Sequence, residues 1–134
     1  MKRNTDRHMT DIIQNDFSYL EQYNQYTANP DFWKEVLAQL NKDLGKEDVI
    51  KIAEEMLKGD NVAELVVLSL EKYLPEITPQ LSEILYRIDI GEKQIESLKG
   101  MPVDIYYRCM AEMVLKRTIQ KVITRKAYSG KKIE

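Results

Sequence analysis

Glycine and proline punctuate this chain at near-regular intervals and almost never fall inside a periodic segment. Pro30, Gly45, Gly59, Pro75, Pro79, Gly91, Gly100 and Pro102 cut it into pieces of helical length. Strictly alternating or β-branched runs are scarce, so no strand is expected. The spacing predicts an all-α domain: an irregular antiparallel helical bundle of about six or seven helices. The alternative is a short α-solenoid of helix pairs, but no residue pattern repeats from pair to pair.

The pieces carry helical start and stop signals. A first helix is expected over 11–26, with Ile13, Phe17 and Leu20 inward. In "NPDFW", Asn29 suits an N-cap and Pro30 the first helical position. Trp33, Leu37, Leu40 and Leu44 then share a face, and Gly45 suits a left-handed stop. A third helix is expected over 47–58, with Val49, Ile52, Ala53, Met56 and Leu57 inward. A fourth follows Asn61, which with Glu64 has the spacing of a capping box. "VAELVVLSLEKYL" is apolar nearly all round, so this helix is expected to be central, with Leu68 and Leu70 fully buried. A fifth opens at "TPQLSE" and turns Leu81, Ile84, Leu85 and Ile88 to the core. Asp89 with Glu92 resembles another cap, leading a short sixth helix to about Lys99. The seventh and longest is expected to end near Tyr128. One helical domain would span 10–128, with tails at 1–9 and 129–134. "RHMT" around His8 also reads as an added leader ahead of Met9.

The chemistry-bearing residues are few. His8 is the single histidine and Cys109 the single cysteine, so neither a His/Cys zinc set nor an intrachain disulfide can be assembled. One cysteine among apolar neighbours fits a reducing compartment, and a cytoplasmic location is expected. There is no glycine-rich phosphate loop and no Glu-x-x-His pair. No apolar run is long enough to insert in a membrane. These absences point away from an enzyme and from any cofactor, leaving a carboxylate-based metal enzyme as the third choice.

Two features rise above the background. Tyr19, Tyr23 and Tyr26 are spaced i, i+4, i+7 and would line one side of the first helix, either widening its apolar face or offering an aromatic partner patch. The second is the last helix. Charge is uneven along the chain: +2 over 1–7, −10 over 8–115 and +6 over 116–134, within a net −2. Arg117, Lys121 and Arg125 form a ladder. Like charges at that spacing repel by a few tenths of a kcal/mol, while the C-terminal helix dipole returns about 0.3–1 kcal/mol per cation, so a solvated ladder needs no ligand. Leu115, Ile119 and Val122, with Ile123 at the edge, form an apolar stripe that must be covered, by the first helix or by a second copy. In the first half of the same helix Arg108, Glu112 and Lys116 line that side, so the polar face is expected to change sides midway, with the helix bent or its two halves packed against different neighbours.

The resulting expectation is a small, soluble, non-catalytic interaction module: an adaptor, an assembly factor or a subunit of a larger complex. Its candidate partner-binding residues are Tyr19, Tyr23, Tyr26, Leu115, Ile119, Val122, Arg117, Lys121 and Arg125. The partner would be another protein or a second copy. The alternative is a nucleic-acid accessory protein using Arg117, Lys121, Arg125, Lys126, Lys131 and Lys132, which the acidic body and the lack of interleaved aromatics disfavour.

Overall fold

The computed structural model describes residues 17–133, with side-chain environments for all of these except Ser18 and residues 129–133. Residues 1–16 and 134, including the expected N-terminal tail and Ile13, lie outside the described residues. Every regular element is helical: α1 (Pro30–Leu44), α2 (Val62–Tyr73), α3 (Leu81–Ile88), α4 (Glu92–Glu96) and α5 (Val103–Ile133). Three short 3-10 segments, Ser18–Tyr23, Glu54–Lys58 and Leu74–Gln80, and a single α-turn, Asn24–Thr27, complete them. The all-α class holds, with five α-helices of more than one turn among the described residues against the six or seven expected.

α1 forms as its sequence signals require. The Asn29 side chain accepts a hydrogen bond from the Asp31 amide at 2.9 Å, Pro30 opens the first turn, and Gly45 ends the helix at φ 87°. Only glycine takes that conformation without strain, and a Cβ there would meet Arg87 Nη1 at 3.4 Å. Phe32, Trp33, Val36, Leu37, Leu40 and Leu44 are all buried, and Trp33 Nε1 donates to the Thr27 carbonyl at 2.8 Å.

The expected helix over 47–58 does not form. Asn41 holds this segment as a loop: its amide donates to the Ile50 carbonyl at 3.2 Å and its Oδ1 accepts from the Ile50 amide at 2.8 Å. Backbone groups tied to a side chain in this way are unavailable to a helical ladder. Asp48 sits at φ 59°, and only the 3-10 turn Glu54–Lys58 remains helical. Two expected caps are also corrected. Asn61 makes no side-chain cap bond to α2. Asp89 is the left-handed C-cap of α3 at φ 73°, where the Ile90 amide reaches back to the Leu85 carbonyl; α4 is capped through Gln94, whose Oε1 accepts from the Gly91 amide.

α5 is the spine, and its two halves lean on different neighbours. The first half lies along α2, where Arg108 pairs with Glu71. The second half runs antiparallel to α1, because Lys121, Arg125 and Lys126 meet Asp43, Gln39 and Glu35, in falling order along α1. The change of face is one-sided: Met110 and Val114 are buried on the side that Arg117 and Lys121 later take, while the stripe side is inward in both halves. Ala111, Leu115, Ile119 and Val122 are fully buried, and Arg108 points to that same side, only 12 % exposed. It is an inward charge with a partner, not a marker of solvent. α5 also continues past Tyr128. No described helix is long and apolar enough to cross a membrane.

Candidate partner-binding site

The residues singled out from sequence are engaged within the chain. Tyr19, Tyr23 and Tyr26 do not form one α-helical stripe, because the backbone there is 3-10 and then a single α-turn. Each ring is half-buried against the core. The Tyr26 ring lies 5.6 Å from that of Phe32, and Lys116 Nζ stands 5.2 Å from the centre of the Tyr19 ring. Burial, and then the charge of Glu112, hold the Tyr19 phenol above its ordinary range. Its hydroxyl is buried and meets no partner among the described residues.

Leu115, Ile119 and Val122 are wholly inside, covered within one chain, with α1 alongside. Phe17, Tyr19 and Leu20 pack against the same core, while residues 11–16 of the expected first helix lie outside the described residues. The basic ladder lies beside this buried stripe and not opposite it. Arg117 Nη2 donates to Asp89 at 2.7 Å. Lys121 Nζ donates to Asp43 at 3.0 Å and to the Arg87 carbonyl, near the end of α3, at 3.2 Å. Arg125 Nη1 donates to Gln39 at 2.8 Å, and Lys126 lies 2.7 Å from Glu35. Asp43, Glu35 and Asp89 thus supply the counter-charge that an anionic ligand would have to displace.

Cys109 is a buried thiol, pushed up to about 11 by burial, with Glu112 adding and Arg108 opposing. Among the described residues no three His, Cys, Asp or Glu side chains gather as metal ligands.

A surface missed in sequence is left open. Between the 51–56 segment and the outer side of α2 lies a groove of about 300 Å³ lined by Lys51, Ile52, Ala53, Met56, Leu65, Leu68, Ser69 and Lys72. Leu68 is 40 % exposed and Met56 47 %, contrary to the expectation that both face inward. The Ser69 hydroxyl donates to the Leu65 carbonyl, so the floor keeps little unsatisfied polarity. An ion pair between Lys34 of α1 and Glu54 fastens the neighbouring 3-10 turn to the bundle. A larger hollow of about 530 Å³ follows α1, where Lys42, Lys46, Glu47 and Asp48 set charges of both signs beside Ala38, Asn41 and Gly45. The signal for the groove was present in α2: a helix apolar nearly all round is either surrounded or has apolar side chains to spare, and Leu68 is one to spare. Comparison with known protein families, curated proteins and solved structures finds no match for this chain.

Proposed function

We propose that this chain is a small, non-catalytic protein-interaction module of the cytoplasm, an adaptor, assembly factor or subunit, that holds a partner protein in the groove between the 51–56 segment and α2. The supporting observation is the convergence of Met56 and Leu68, both substantially exposed, on one concave surface floored by Leu65 and Ile52. A single exposed leucine or methionine needs no explanation, since much of any protein surface is apolar. Two of them facing each other across a groove form a pocket suited to anchoring side chains.

The test compares wild type and Leu68→Asp as baits in extract of the native cell. Leu68 is open enough to water that the variant folds. Proteins held by wild type and released by the variant are expected. Identical retention by both baits, or retention abolished by nuclease alone, would overturn the proposal.

A further inference from the structure

We infer that the groove accepts a short segment of another protein in which one or two apolar side chains are flanked by carboxylates. This rests on the reading of the groove as a partner site and adds the chemistry of the partner. The charges lining the groove are Lys51 on the wall formed by the 51–56 segment and Lys72 on the α2 wall, both exposed. No acid among the described residues pairs with either of them, whereas Arg117, Lys121 and Lys126 each have an acidic partner. Two uncompensated cations on opposite rims of an apolar floor favour a partner with the inverse pattern, apolar in the middle and acidic at its edges. The acidic body does not cancel this preference. Within the 51–56 segment Glu54 is paired with Lys34, and neither it nor Glu55 lines the groove. Charges beyond about 8 Å are largely screened at physiological salt, so the two lysines set the charge of the lining.

Shape and charge separate this occupant from others. A volume of about 300 Å³ is at the lower end of ligand clefts, roughly 300–1,000 Å³, which suits anchoring side chains rather than a whole helix. A concave surface does not fit the plane of a bilayer. A second copy docked groove to groove across a two-fold axis would set Lys51 and Lys72 against their own counterparts, a like-charge arrangement.

The experiment selects displayed random peptides on the immobilised full chain and measures the enriched peptides by fluorescence anisotropy. Enriched sequences are expected to combine Leu, Ile, Phe or Met with Asp or Glu. Leu68→Asp should weaken them more than about tenfold, as loss of an interface anchor does. Lys51→Glu with Lys72→Glu should weaken them about two- to thirtyfold, the range for two exposed ion pairs, and should leave the thermal melt unchanged. Met56→Asp provides a second apolar variant if Leu68→Asp melts early. Neutral or basic peptides that still depend on Leu68 would overturn this inference and leave the interaction module standing. Peptides indifferent to both apolar variants would overturn both. Two further results would overturn it by naming another occupant: wild type sedimenting as a dimer that Leu68→Asp dissociates, or co-sedimentation with phosphatidylserine vesicles that the same variant abolishes.

Discussion

Arg108 of α5 donates a hydrogen bond to Glu71 of α2 at 2.8 Å, with the two side chains 12 % and 29 % exposed. The pair stands on the seam along which the first half of α5 meets α2, beside the fully buried Ala111 and Leu115. Arg108→Ala would strand the carboxylate. A fully buried broken pair costs about 3–5 kcal/mol; because Glu71 retains contact with water, about 1–3 kcal/mol is expected, read from urea unfolding at neutral pH. Arg108→Met with Glu71→Leu should recover to within about 1 kcal/mol of wild type, since a packed apolar pair replaces the ions without desolvation. A double variant as unstable as the single one would mean that the arginine acts through other contacts.

The two leucines of α2 separate the roles of its faces. Leu70→Ala should cost about 2–5 kcal/mol, as should Leu85→Ala in α3, because both side chains are buried. Leu68→Ala should cost less than about 1 kcal/mol, in keeping with an exposed position. Thermal melts of the three variants decide this, and a large loss at Leu68 would close the groove.

Much of the fold was legible because helix signals are local. The caps at Asn29 and Gly45 and the i, i+3, i+4, i+7 face of Leu81, Ile84, Leu85 and Ile88 are properties of neighbours in sequence, and all are observed. The misread elements depend on partners far along the chain. The 47–58 segment has helical periodicity, yet Asn41 captures the backbone of Ile50. Arg108 looks like a surface residue until Glu71, on another helix, is brought to it. The groove was illegible for the same reason: helical periodicity places Ile52 and Met56 on a buried face, and which apolar residues of α2 are left uncovered depends on where that segment runs instead.

Alkaline pH should weaken the fold through two groups. The Cys109 thiol is raised from an ordinary 9.0 to about 11, first by burial. Between those values the unfolded chain has released its proton and the folded chain has not, so stability falls as pH rises from about 9 to about 11. The raised Tyr19 phenol extends the decline above pH 10. Urea midpoints measured across this range should fall less steeply in Cys109→Ala, and Tyr19→Phe should flatten the upper end. Tyr19→Phe should also be at least as stable as wild type at pH 7, since it removes a buried hydroxyl with no described partner. A parallel decline in all three proteins would assign the effect elsewhere.

The basic end of α5 leads to the last prediction, that duplex DNA is bound only weakly and without sequence preference. Arg117, Lys121, Arg125 and Lys126 all have partners on α1 or at the end of α3. A phosphate would have to break those contacts before gaining its own, and would do so beside an acidic body. Non-specific affinity is therefore expected to be weaker than about 1 μM at physiological salt, the tight end of ordinary non-specific binding. The log–log salt slope should be shallower than the −4 to −5 expected if about five phosphates were neutralised. Asp43→Asn with Glu35→Gln supplies the internal control: it frees Lys121 and Lys126 and should raise both the affinity and the slope. Anisotropy with a labelled duplex across a salt series measures both quantities for the two proteins. Sub-micromolar binding by the wild type would show that the ladder gives up its intramolecular partners readily, and would restore the nucleic-acid reading of this helix.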